Sequence, residues 1–116
     1  MSEITRGLIV RVGVDLAKSV IQVHAVDIAG RRVAAHAIKR DKFLAWCAQL
    51  PAGCVVAMEA CSGAHHWARE LRRRGLDARL IAANFVSPYR MEGRSGKNDM
   101  TDAAAICEAE PGRVSS

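Results

Sequence analysis

The sequence predicts an α/β domain whose core is a five-stranded mixed sheet with flanking helices. Three apolar segments follow one another through short turns, as in an antiparallel meander. Two helix-then-strand units come next, as in crossover connections, the second of them between parallel neighbours. The first apolar segment has branched residues on both faces, so it needs cover on more than one side.

That first strand runs from Leu8 to Asp15. Leu8, Val10, Val12 and Val14 share one face by the two-residue period, and Ile9 makes the other face partly apolar. Val20 to Asp27 reads as the second strand. A turn through Gly30 leads to a third, weaker one from Val33 to Ile38, weaker because alanine is a poor strand former. Asp41 is placed to cap a helix from Lys42 to Leu50, with Phe43, Leu44, Trp46 and Cys47 on its apolar side. Pro51-Ala52-Gly53 stops it.

Cys54 to Glu59 is a fourth strand that again delivers a carboxylate at its end. Ser62 can cap a helix from Gly63 to Arg74, closed by Gly75, with Trp67 and Leu71 facing the sheet and Arg69, Arg72 and Arg73 facing outward. Ala78 to Ala82 forms the fifth strand. From Asn84 to Asn98 the periodic signal fades into a loop or broken helix that carries Arg90, Arg94 and Lys97. A last helix runs from Asp99 to about Glu110, ended by Pro111-Gly112. Residues 1–110 are thus expected to form one domain, and 111–116 a disordered tail or the start of a connector.

The chain has 116 residues, half of them hydrophobic and a quarter charged, which is a globular composition. Its 17 Lys and Arg against 12 Asp and Glu leave a formal charge of +5, compatible with a polyanionic partner without requiring one. No apolar run is long enough to span a membrane, and the first residues lack the order of a secretion signal, so a cytoplasmic protein is expected. Cys47, Cys54, Cys61 and Cys107 are then expected as free thiols. Cys61 with His65 and His66 lacks the tight Cys-x-x-Cys spacing of structural zinc sites. Trp46 and Trp67 sit in apolar helical stripes and read as packing residues, while His24 and His36 alternate with apolar residues on the meander's polar face. No phosphate-binding glycine loop is present, which argues against a nucleotide triphosphate site.

Four acids stand out by placement. Asp15 and Glu59 end strands, and Asp99 and Asp102, three residues apart, share a face of the last helix's first turn. If the first and fourth strands are neighbours, Asp15 and Glu59 emerge from the same edge of the sheet, where ligands of open α/β folds gather. Magnesium or manganese would relieve the repulsion within such a cluster and matches hard oxygen ligands. Two ions about 4 Å apart could activate an attacking hydroxyl or water at a phosphodiester and stabilise the leaving oxygen. Taken singly, Asp99 and Asp102 also fit a helix cap and a dipole-favoured acid, and Glu59 also fits the start of a turn. Lys18, Arg90, Arg94 and Lys97 lie near these acids in sequence and are candidates for contacting nucleic-acid phosphates.

Three motifs in order, Val12-Gly13-Val14-Asp15-Leu16-Ala17-Lys18, Met58-Glu59-Ala60-Cys61-Ser62-Gly63 and Lys97-Asn98-Asp99-Met100-Thr101-Asp102-Ala103, resemble the amino-terminal domain of DEDD-type insertion-sequence transposases and pilin-gene invertases. The resemblance implies a RuvC-like, ribonuclease H-type fold. It also implies that Asp15, Glu59, Asp99 and Asp102 hold catalytic Mg2+, with Mn2+ as substitute, for cleavage and strand transfer on DNA. The partners it implies are DNA, a noncoding guide RNA in some members, and a second copy of the chain. Full-length members of that family continue through a helical connector into a second domain that supplies a catalytic serine. No serine of this chain matches it, so the isolated chain is expected to be incomplete as a recombinase. The alternative expectation is a noncatalytic nucleic-acid-binding or self-assembly module.

Overall fold

The computed structural model describes residues 8–16, 19–61, 63–88 and 102–112. Five strands form one sheet: β1 (Arg11–Asp15), β2 (Val20–Val26), β3 (Arg32–Lys39), β4 (Val55–Glu59) and β5 (Asp77–Ile81). Their order is β3-β2-β1-β4-β5. β1 pairs antiparallel with β2, and β2 antiparallel with β3. On the other side β1 pairs parallel with β4, and β4 parallel with β5. The meander and both crossovers therefore stand as the sequence predicts.

Helix α1 (Arg40–Cys47) connects β3 to β4, and α2 (Ala64–Arg73) connects β4 to β5. Residues 83–88 form a short helix, α3, and α4 (Asp102–Gly112) is the last element. The segment expected to lose periodicity from Asn84 thus begins as helix, anchored by Val86, which is fully buried.

The sheet divides two apolar clusters. On one face Val12, Val14, Ile21, Val56 and Met58 pack against Phe43 and Cys47 of α1 and Ala64, Ala68 and Leu71 of α2. Trp67 meets Phe43 edge to face with ring centroids 5.2 Å apart, and Trp46 meets His36 in the same manner at 6.2 Å. Both tryptophans are packing residues, as their stripes indicate. On the other face Ala57 and Ile81 meet Val86 of α3 and Ala105, Ile106 and Ala109 of α4.

Several boundaries differ from expectation for local reasons. β1 begins at Arg11, and Leu8 and Val10 are exposed while Ile9 is buried, although the Val10 backbone still donates to the Val26 carbonyl and accepts from Val55. Asp41 does not cap α1; the N-cap is Lys39, without a side-chain cap, and Asp41 falls in the first turn, where a carboxylate still suits the helix dipole. The N-cap of α2 is Gly63, and Ser62 lies outside the described residues. Gly75, just past α2, adopts φ +85°, the left-handed position that ends a helix at little cost for glycine. The last helix includes Pro111 and Gly112 as its final residues.

Candidate functional site

A strand that is buried on both faces can end in a carboxylate only if the surroundings stabilise charge there. Asp15 is such a residue, 4% exposed at the carboxyl end of the central strand. Its antiparallel partner is Gln22 on β2, whose partner on β3 is Ala37. On the other side the parallel register pairs Val14 with Met58, and its next step sets Asp15 beside Glu59. Glu59 in turn pairs with Ile81. Cross-strand partners share a face, so one row runs Ala37, Gln22, Asp15, Glu59, Ile81 across the sheet. The two strand-end acids therefore do emerge from one edge.

The same face carries α4, and three features fix how that helix lies. A Cβ on Gly13 would collide with the carbonyl oxygen of Ala103 and would stand 2.5 Å from the Cys107 nitrogen, so only glycine admits the helix backbone this close. Arg11 Nε donates to the Cys107 carbonyl at 2.9 Å. Arg79 Nη1 donates to Glu110 at 2.8 Å while its Nη2 donates to Asp77 at 2.7 Å, tying the end of the helix to β5. Glu110 is 5% exposed, so this pair neutralises an otherwise buried carboxylate. The two carboxylates hold the Arg79 pKa above its ordinary value, chiefly through these hydrogen bonds. Because Ala103 lies over Gly13 and the Cys107 carbonyl takes the Arg11 hydrogen bond, α4 runs antiparallel to β1. That direction turns its first residue, Asp102, toward the Asp15 end.

Of the four acids, Asp15 and Glu59 share a row, Asp102 opens the covering helix, and Asp99 lies outside the described residues. Lys18, Arg90, Arg94 and Lys97 also lie outside them. Among the described residues no group of three or more His, Cys, Asp or Glu could hold a metal ion. Asp15, Glu59 and Asp102 are carboxylates, the ligand type that hard divalent cations take. Cys47 and Cys54 are buried, and burial pushes both thiols up to about 12. All four cysteines are free.

Sequence reasoning overlooked Gly13, Arg11, Arg79 and Glu110 as the residues that seat α4. A glycine in the middle of an apolar strand was the available signal, since it marks a close backbone approach. His24, read as a polar-face residue, is half-buried under α4 near Glu108, and burial lowers its pKa.

An antiparallel β3-β2-β1 meander extended by parallel β4 and β5, with acids ending β1 and β4, defines an α/β domain of the ribonuclease H type, to which RuvC-like domains belong. The chain belongs to the IS110-type DEDD transposase family, whose model, described as Transposase, matches residues 12–113. It is 52% identical over 99 residues to a Pseudomonas aeruginosa protein named "Probable family 20 transposase", covering 85% of this chain and 28% of that protein. It is 43% identical over 97 residues to the transposase for insertion sequence element IS1111A of Coxiella burnetii, covering 84% of this chain and 26% of that protein. The transposase for IS1328 of Yersinia enterocolitica is 38% identical over 98 residues, with 84% and 28% covered. The chain thus spans about a quarter of the length of these relatives.

Proposed function

We propose that this domain supplies the metal-binding carboxylates of a DNA transposase, acting on phosphodiesters in cleavage and strand transfer. The observation that carries the reading is the row that sets buried Asp15 beside Glu59 under the helix that Asp102 opens. Asp15, Glu59, Asp99 and Asp102 would hold Mg2+, with Mn2+ as substitute. When bound, such ions activate an attacking hydroxyl and stabilise the leaving oxygen. The protein's own contribution is to hold the acids in place. Gly13, Arg11 and the Arg79–Glu110 pair fix α4 against β1, with the helix's first residue, Asp102, toward the Asp15 end.

In this reading the domain works as part of a longer protein, with residues 1–110 as its catalytic unit. It acts in the cytoplasm on DNA, with a noncoding guide RNA and a second copy as further partners. Among the described residues no helix is long and apolar enough to cross a membrane.

The test is metal-dependent thermal stability. A ligand that binds only the folded state raises the melting temperature, by about 2.7 kcal/mol of stability at a hundredfold excess over Kd. Millimolar Mn2+ should raise the melting temperature of the native chain and leave Asp99→Asn and Asp102→Asn nearly unmoved. An equal rise in all three would remove these acids from the site.

A further inference from the structure

The row that contains Asp15 continues away from the acids into an open cleft of about 200 Å³ lined by Gln22, Val23, Ala35, His36, Ala37 and Ala103. Gln22 is the direct cross-strand partner of Asp15, and Ala103 follows Asp102, so the cleft adjoins both carboxylates. Its floor on β3 consists of Ala35 and Ala37, both exposed, and α4 packs chiefly on β1 and less on β2. Small floor residues admit a bulky backbone.

The charges around that floor have one sign along β3. Lys39, two residues beyond Ala37 on the same face, is exposed at the same end of the sheet as Asp15. Arg32 is exposed at the other end of β3, where a register shift pairs it with Val26, which shares the face of Gln22 and His24. The two cations stand roughly 23 Å apart along the strand, at about 3.3 Å per residue. Arg40 follows Lys39 and donates to the Leu16 carbonyl at 2.8 Å, which brings its guanidinium to the residue after Asp15. Asp41, exposed in the first turn of α1, is an acid that follows these two cations in the chain. Small exposed side chains between cations suit phosphate contacts.

We propose that the β3 strip of this face, floored by Ala35 and Ala37 and flanked by Arg32 and Lys39, seats the phosphate backbone of one DNA strand leading to the Asp15 edge. The proposal rests on the reading of the acids as a DNA-processing site, and it assigns phosphate contacts to residues other than Lys18, Arg90, Arg94 and Lys97.

The test is the salt dependence of binding to a short DNA duplex, followed by fluorescence anisotropy without metal. Each phosphate contact contributes about 0.9 to the slope of log affinity against log salt. Lys39→Gln and Arg32→Gln should each lower the slope by about 1, and Ala37→Glu should weaken binding at least tenfold at low salt. Arg73→Gln, an exposed cation on α2 away from this face, should change neither quantity. Absence of duplex binding by the native chain would overturn the proposal. So would unchanged slopes in Lys39→Gln and Arg32→Gln, or an equal loss in Arg73→Gln. Circular dichroism confirms folding of each variant. Mn2+ binding measured on the same samples separates the two ideas: Lys39→Gln should keep it, so its loss in Asp15→Asn alone concerns the acids and not this surface.

Discussion

The two faces of the sheet are built from different materials. The face under α1 and α2 is filled by large side chains, Phe43, Leu71, Met58, Ile21 and Val14, all nearly or fully buried. The face under α4 has Ile81, Val86 and Ile106 toward β5, but where the helix crosses β1 it is filled by Gly13, Ala57, Ala103, Ala105 and Ala109, interspersed with Arg11, Asp15, His24, Arg79 and Glu110. Large residues hold a helix at a distance and gain from the apolar area they remove from water. Small ones let the helix backbone descend onto the strand, which leaves little apolar area but sets the helix to within the tolerance of a backbone contact. The first face stabilises the fold, and the second positions charged groups.

That contrast predicts different responses to substitution. Phe43→Ala on the apolar face should cost about 3–5 kcal/mol, the usual loss for a buried aromatic, and urea denaturation would measure it. It should not change which acids share an edge. Gly13→Val on the other face adds bulk where α4 already touches the strand, and overpacking of that kind costs about 1–3 kcal/mol. Here the helix itself must lift, so Mn2+ binding should fall even in buffer where the variant remains folded. If Gly13→Val lost stability but bound Mn2+ as the native chain does, the close approach would be only a packing feature.

Arg79→Met removes the partner of buried Glu110 and should cost about 2 kcal/mol, less than a fully enclosed pair because Arg79 is 30% exposed. A double-mutant cycle with Glu110→Gln would measure the coupling. The smaller effects are in pH. Cys47 and Cys54 on the apolar face have folded pKa values pushed up to about 12 from 9.0 by burial. Their contribution is complete below pH 9 and is lost as pH rises toward 12, so the melting temperature should decline over that window, less steeply in the Cys47→Ala, Cys54→Ala variant. On the other face burial lowers the pKa of His24 from 6.5. Its contribution is present above 6.5 and is lost as pH falls through the lowered value, and His24→Gln should flatten that part of the acid limb.

The same contrast explains what the sequence could reveal. Strand order was legible because alternating branched residues in Val20 to Val26, and helices stopped by Pro51 and by Gly75, are local signals that tertiary packing had no reason to override. The strand-end position of Asp15 and Glu59 was legible for the same reason. The seating of α4 was not. It depends on Gly13 meeting Ala103 and on Arg79 meeting Glu110, 31 residues away, and neither partner betrays the other in the chain. The cap at Asp41 failed because β3 runs through Lys39 directly into α1, which leaves no turn for a capping side chain. The basic corner at Lys39 and Arg40 was hidden because its proximity to Asp15 exists only once β3 lies two strands away in the sheet.

The most direct test of the account is titration calorimetry with Mn2+ on the native chain and on Asp15→Asn, both shown to be folded by circular dichroism. Asp15 is 4% exposed at the end of the central strand, in the row beside Glu59. Binding by the native chain with loss of most of the heat in Asp15→Asn is the predicted result. The same isotherm from both proteins, or none from the folded native chain, would contradict the account and leave the Asp15 edge without a metal-binding role.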